Sequence, residues 1–268
     1  MTKLNNIKVI KRFSNDDKNF QIIMDNNIKK LIKFFPKKKN NKKFINELNG
    51  YKFYSKNKIF NTPKLYSYSY KEKKLVIQYI DGEKSNPLHF KKIINKIGRH
   101  QAFNINIGNY INMLKRNYSF GKNSYFFLKE INKHISNSKK ILTSHTHGDF
   151  SNFNCLKSNK MFYVIDFEKF SKRIVLFDNL NWYLQYLFFN IAKIFNYKFS
   201  SKTNNFLFRK LINFIHNIVK ILNRDQIKHL NINSKDLNIY FLFYYFEKVL
   251  ILENDLKNIK IKRNKIIT

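Results

Sequence analysis

The chain has 268 residues, and its 52 Lys and Arg against 17 Asp and Glu leave a formal charge of +35. Three prolines, six glycines and a single cysteine exclude collagen-like and linker-type chains, an intrachain disulfide framework and any multi-cysteine zinc or iron–sulfur site. The length allows one large or two modest domains with a substantial core.

Further expectations follow from what is scarce. The lone Cys155 fits a reducing compartment, and no apolar stretch approaches the ~20 residues needed to span a bilayer. The N-terminus lacks a long apolar core followed by a small-residue cleavage site, so the expected location is the cytoplasm. The charge has two readings. Lys, Asn, Ile, Phe and Tyr are overused together, as an AT-rich coding sequence would produce, which makes much of the charge a solvated lysine surface. The alternative is attraction to phosphates, nucleic acid or an anionic membrane face; the eight lysines between Lys29 and Lys43 and the tail from Lys257 to Lys265 lean towards it.

In chain order, Ile7–Phe13, Phe20–Met24 and Ile28–Phe34 read as strands separated by the polar turns Ser14–Asn19 and Asp25-Asn-Asn. Lys42–Ser55 reads as a helix because Phe44, Leu48 and Tyr51 recur at helical spacing. After Pro63, Lys64–Tyr70 and Lys74–Ile80 read as two more strands ending at Asp81-Gly82. Beyond Pro87 the pattern predicts long helices over His89–Lys115, Ser124–Ser138, Leu180–Asn196, Lys202–Asn223 and Ser234–Asn254. Strand-like runs interrupt them at Ile141–Ser144, Asn154–Lys157 and Met161–Ile165. The expected class is α+β, with a small β-rich lobe over 1–83 and a larger, mainly helical lobe over 84–268.

The stretch that carries chemistry is His147-Gly148-Asp149, with Asn154 five residues after the Asp and Asp166 behind the apolar run Val164-Ile165. With seven His, six Gly and ten Asp, a His-Gly-Asp triplet arises by chance about 0.006 times in such a chain. Each residue type suits phosphoryl transfer. A carboxylate can take the proton of an attacking hydroxyl, while an Asn oxygen and a second carboxylate are hard ligands for Mg²⁺ on triphosphate oxygens.

His147-Gly148-Asp149-Phe-Ser-Asn-Phe-Asn154 and Ile165-Asp166-Phe167-Glu168 resemble the catalytic and metal-binding loops of the aminoglycoside phosphotransferase/choline kinase-like enzymes. The resemblance implies a protein-kinase-like two-lobe fold and an ATP-dependent phosphotransferase acting on a small-molecule hydroxyl. It makes Asp149 the catalytic base and Asn154 and Asp166 the Mg²⁺ ligands, with His147 a support for the loop. It asks for a strand lysine on the phosphates and a helix glutamate to orient it. Alternation puts Leu31 and Lys33 on one face, so Lys33 reaches phosphate and Leu31 lies against adenine; Lys30 competes for the role. Glu47 is the expected partner of Lys33, its ordinary alternative being a surface pair with Lys43. The backbone around Gln78, Tyr79 and Ile80 would meet the adenine edge. Asp178 has the position of a helix N-cap, and in the resembled family an Asp here also braces the catalytic loop. Cys155 reads as a small buried filler.

Two departures argue against a typical protein kinase. The Ser14–Asn19 turn holds no glycine, leaving Ser14 as a candidate phosphate donor, and Asp166-Phe-Glu replaces Asp-Phe-Gly. Competing functions are a kinase-like protein that binds nucleotide or a partner without turnover, and a basic nucleic-acid-binding protein. No recognised nucleic-acid module supports the latter. Sugars, glycan precursors and amino alcohols stay open as acceptors, with a polycationic acceptor disfavoured by the charge.

Overall fold

The computed structural model describes residues 8–14, 18–36, 41–84, 102–184, 217, 224–233 and 235–264. Its N-terminal part is an antiparallel sheet of β1 (Lys8–Ser14), β2 (Asn19–Asp25), β3 (Ile28–Phe34), β4 (Leu65–Ser69) and β5 (Lys74–Gln78), in spatial order β1-β2-β3-β5-β4. Helix α1 (Asn41–Asn57) lies between β3 and β4 in the chain, so the β-β-β-α-β-β order expected for 7–80 is what forms. The β2–β3 hairpin closes through Asn26 and Asn27, both at positive φ (49° and 62°). A two-residue turn with both central residues left-handed matches the strand twist, and Asn tolerates that region well.

Register decides which side chains share a face. Leu31 lies opposite Ile22 on one neighbour and Ile77 on the other, while Lys33 lies opposite Phe20 and Leu75. Directly opposed residues point the same way, so Lys33 shares one face of the sheet with Leu31, Phe20, Ile22, Leu75 and Ile77. Helix α1 buries Phe44, Glu47, Leu48, Tyr51 and Tyr54, a stripe at helical spacing in which only Glu47 carries charge.

Among the described residues, the remainder holds two three-stranded sheets and helices. One sheet is β6 (Glu83–Lys84), β9 (Cys155–Ser158) and β10 (Met161–Val164), in order β10-β9-β6; the other is β7 (Phe103–Asn106), β8 (Lys140–Thr146) and β11 (Ser171–Ile174), in order β11-β8-β7. The helices are α2 (Ile107–Asn117), α3 (Lys122–His134), α4 (177–184), α5 (Arg224–His229) and α6 (Leu237–Asn264). No helix among the described residues is long and apolar enough to cross a membrane.

Three expectations change. The helix expected over His89–Lys115 is, in its described part, a strand followed by a helix: Phe103 and Ile105 pair with Thr143 and Ile141 of β8, and that ladder overrides a locally helix-like pattern. Strand β11 was not expected, because Ser171-Lys-Arg-Ile has no apolar alternation. Helix α4 starts at 177 rather than Leu180, and α6 runs ten residues past Asn254 to Asn264. The helix expected over 202–223 lies outside the described residues apart from 217, as does the end of the one expected over Leu180–Asn196.

Candidate active site

Strand β8 ends at Thr146 and delivers His147-Gly148-Asp149 into a tight loop. Asp178 of α4 holds that loop from below: its carboxylate accepts the backbone N–H groups of His147 (2.7 Å) and Gly148 (2.8 Å). Because α4 begins at 177, Asp178 stands inside the first turn and is not the N-cap. Burial pushes its carboxyl above the ordinary value, against the opposing pull of His147 and the two N–H groups. His147 accepts the Asp149 N–H at Nδ1 (3.2 Å) and meets the Ile165 carbonyl at Nε2 (2.8 Å). That pattern requires the Nε2–H tautomer, so both ring nitrogens are spent on positioning.

Gly148 has φ of +82°, and a Cβ there would stand 2.2 Å from the Lys169 carbonyl oxygen and 2.3 Å from Arg173 Nη1. Only glycine supplies both the left-handed backbone and that space. Arg173 occupies it because its guanidinium bonds the Lys169 carbonyl (2.7 Å), Thr146 Oγ1 (3.0 Å) and Glu247 of α6 (3.1 Å). Asn154 donates through Nδ2 to the Asp149 carbonyl (2.8 Å), which leaves its amide oxygen as the group able to ligate a cation. Its own carbonyl accepts the Ile165 N–H (2.9 Å), so Asn154 and Asp166 are neighbours across one backbone bond.

Asp166 sits at φ +66°, a sparsely populated conformation tolerated best by Asn and Asp. Helix α1 fixes the segment around it. Phe167 packs against Tyr51 and Tyr54 (ring centroids 4.9 and 5.1 Å), and a Cβ on Gly50 would overlap Phe167 at 2.4 Å. Asn46 Nδ2 also bonds the Glu168 carbonyl (2.9 Å).

Lys33 and Glu47 meet at 2.5 Å, with relative exposures of 5% and 0%. Lys33 Nζ is also 3.6 Å from Asp166 Oδ1. Burial opposes the ammonium, but Glu47 and Asp166 raise the Lys33 pKa above its ordinary value. Burial likewise opposes the Asp166 carboxylate, yet Lys33 and Lys18 hold it well below the usual carboxylate range. The competing pairings go elsewhere: Lys30 binds Asp25 (2.5 Å), and Lys43 lies 3.6 Å from Glu168.

Lys18, just before β2, is the residue that sequence reasoning missed. Its ammonium is buried between Asp166 (3.0 Å) and Glu168, whereas Ser14 is exposed at the end of β1. Burial, and then Lys33, lower the Lys18 pKa. Nothing local distinguishes this lysine from the others in the chain; the only signal was its place in a turn lacking glycine. One oxygen each from Glu47, Asp166 and Glu168 lie within 4.8 Å of one another. With the amide oxygen of Asn154, whose backbone carbonyl accepts the N–H of Ile165 next to Asp166, this is a hard donor set of the kind that suits Mg²⁺.

At the expected hinge, the N–H groups of Gln78 and Tyr79 are spent on the carbonyls of Lys64 (2.8 Å) and Lys29 (3.3 Å). The donors expected to meet an adenine edge there are therefore not the N–H groups of Gln78 and Tyr79. Leu31 is partly buried against the core on the Lys33 face, and Cys155 is buried. Beside the 147–150 loop, Lys169 Nζ lies 3.4 Å from Asp149 Oδ2. Lys248 of α6 donates to Asn181 Oδ1, and Asn181 Nδ2 bonds the Phe150 carbonyl (3.1 Å).

No family model matches the sequence, and no curated protein matches it. Solved structures do match in fold. A choline kinase, LicA, from Streptococcus pneumoniae is 13% identical, with 91% of this chain and 94% of that chain covered and a TM-score of 0.50. A fructosamine-3-kinase from Haemophilus somnus is 15% identical over 90% and 92% of the two chains, with a TM-score of 0.48. The streptomycin–ATP complex of APH(2'')-IIa is 16% identical over 67% and 70%, with a TM-score of 0.45. The fold is therefore the α+β, kinase-like one expected from the loop motifs.

Proposed function

We propose that this chain transfers the γ-phosphate of ATP to a hydroxyl group of a small molecule, a sugar, glycan precursor or amino alcohol. The observation that carries the reading is the buried Lys33–Glu47 pair (2.5 Å) meeting Asp166 (3.6 Å) beside the loop that holds Asp149. Residues 1–83 act as the nucleotide lobe and 84–268 as the catalytic and acceptor lobe.

In this reading Glu47 aims Lys33 at the α- and β-phosphates, Leu31 lies against the adenine and the segment Gln78, Tyr79 and Ile80 flanks its edge. Asp166 and Asn154 hold Mg²⁺, which when bound neutralises charge on the phosphate oxygens. Asp149 takes the proton from the acceptor hydroxyl. Its backbone is fixed by His147 and its loop by Asp178, so the carboxylate meets the hydroxyl with little reorganisation. A nucleotide binder without turnover would lack one of these groups, and all four of Lys33, Asp149, Asn154 and Asp166 are in the chain.

Asp149→Asn tests the assignment because it removes the proton acceptor without changing shape. Acceptor-dependent ATP consumption should fall by about 10²–10⁴, with nucleotide binding and melting temperature nearly unchanged. Near-wild-type turnover in the variant would refute the role.

A further inference from the structure

The acceptor side of Asp149 is cationic. Beyond Lys169, Lys248 reaches the catalytic loop through Asn181, whose amide bonds the carbonyl of Phe150, the residue after Asp149. The Lys248 ammonium is partly buried and has no carboxylate within ion-pair distance among the described residues. It lies instead over the rings of Phe177 (5.6 Å) and Tyr244 (5.5 Å). Aromatic faces of this kind would hold the cationic group of an amino alcohol or aminoglycoside, and here the protein's own ammonium covers them.

Carboxylates that could hold a cationic acceptor are also missing. The stretches 84–129 and 179–224 contain no Asp or Glu, so none reaches the site from them whatever their placement. Of the others beyond β6, Asp149 is the base itself and lies against Lys169, Asp166 and Glu168 face Lys33, Lys18 and Lys43, Asp178 holds the loop, Glu130 pairs with Lys133, Asp236 with Lys139, Glu247 with Arg173, and Glu253 accepts the N–H groups at the start of α3. The side chains of Asp225 and Asp255 lie outside the described residues.

Resting on the phosphotransferase reading, we infer that the acceptor is an anionic hydroxyl compound, a phosphorylated or carboxylated sugar or polyol, whose negative group is bound by Lys248 and Lys169. The acceptor O–H gives its proton to Asp149 and its oxygen bonds to the γ-phosphorus. The bond from that phosphorus to the bridging oxygen breaks, and the electron pair leaves with ADP. Lys169 then shares its charge between Asp149 and the anion, while Lys248, whose partner is the neutral Asn181 amide and no carboxylate, supplies most of the attraction.

The test titrates glucose, glucose 6-phosphate, glucuronate, glucosamine and choline into the full chain by calorimetry, with and without AMP-PNP and Mg²⁺. Inorganic phosphate serves as the control that separates the anion from the sugar. At least one of the two anionic sugars should bind tenfold or more tightly than glucose, and glucosamine and choline should bind no better than glucose. Lys248→Met should weaken that anion by about tenfold to a hundredfold, the loss expected for a charge-assisted contact, whereas Lys248→Arg should retain most of it. With a turned-over acceptor, Lys248→Met should raise KM by about the same factor, and Lys248→Arg should restore most of it. Equal or better binding of neutral or cationic compounds, or an anion preference that survives in Lys248→Met, overturns the inference. Failure of AMP-PNP to bind would instead sink the phosphotransferase reading, and the titrations without nucleotide would still decide the charge of the bound compound.

Discussion

The Lys33–Glu47 pair allows a prediction with a magnitude. Glu47 is fully buried and meets Lys33 at 2.5 Å. Removing one member of such a pair leaves an uncompensated buried charge and costs about 3–5 kcal/mol. At ~2–4 °C per kcal/mol for a chain near this size, Lys33→Met should lower the melting temperature by about 6–20 °C. Glu47→Gln should cost less, because the amide oxygen still accepts the lysine proton. The double variant should cost well below the sum, because neither charge is then stranded.

The same cycle separates stability from function. If Glu47 aims Lys33 at phosphate, each single variant should also lower kcat/KM for ATP, by about tenfold to a hundredfold for one lost charge-assisted contact. The assay is a thermal melt and an ATP titration on all four proteins. Lys18 is the internal complication, since its ammonium already contacts Asp166 and is the nearest cation able to move towards Glu47 when Lys33 is gone. Running the cycle again in Lys18→Ala should therefore enlarge the coupling. Stability effects that add to within about 0.5 kcal/mol, or a Glu47→Gln protein with unchanged kcat/KM for ATP, would refute the reasoning.

Gly148→Ala should abolish turnover and lower the melting temperature, because its Cβ would overlap the Lys169 carbonyl at 2.2 Å in a left-handed backbone; a folded, active variant would show that the loop is not held as described. Lys18→Ala should lower the Mg²⁺ concentration needed for half-maximal ATP binding, since it removes the ammonium that occupies Asp166 and Glu168; an unchanged requirement counts against competition at that site. Burial lowers the Lys248 pKa to about 8, with Asp149 and Glu247 opposing and Lys169 and Arg173 reinforcing the shift. Loss of the proton above about pH 8 should therefore raise KM for an anionic acceptor, with kcat followed separately. Between about 8 and the ordinary lysine value of 10.5 the folded chain binds fewer protons than the unfolded one, so this group's contribution to stability rises with pH. Lys248→Met should accordingly raise the melting temperature at pH 7, by an amount that shrinks across that window.

What could be read before the structure follows from which forces are local. The strands of the N-terminal sheet and α1 carry their own alternation and helical spacing, and Asp25-Asn-Asn announces a turn by its chemistry. Strand β7 does not, because Phe103-Asn-Ile-Asn becomes a strand only through its ladder to β8, and β11 owes its place to a buried Arg173 that pairs with a helix far along the chain. The same contrast runs through the site. The loop carrying Asp149 was legible from its triplet, yet Asp178 could be told from a simple helix cap only by the two N–H groups it accepts, and Lys33 from Lys30 only by their partners.

Lysine positions say little in a chain with 52 basic residues, but its 17 acids are a scarce species surrounded by excess cation. An acid left on the surface of such a chain costs nothing and is easily paired; an acid buried must be offset by a specific group. Among the described residues, Glu47, Asp178 and Glu247 are buried and Asp25, Asp166 and Glu168 partly so, and each holds a lysine, an arginine or backbone N–H groups. Lys18 becomes intelligible in the same way, as the cation that two of those carboxylates draw in, and Lys248 stands out as the one cation beside Asp149 whose described partners include no acid. In a strongly basic chain of this fold, following the carboxylates to their partners is what leads to the proposed nucleotide side, and the lysine without an acid partner is what motivates the proposed anionic acceptor.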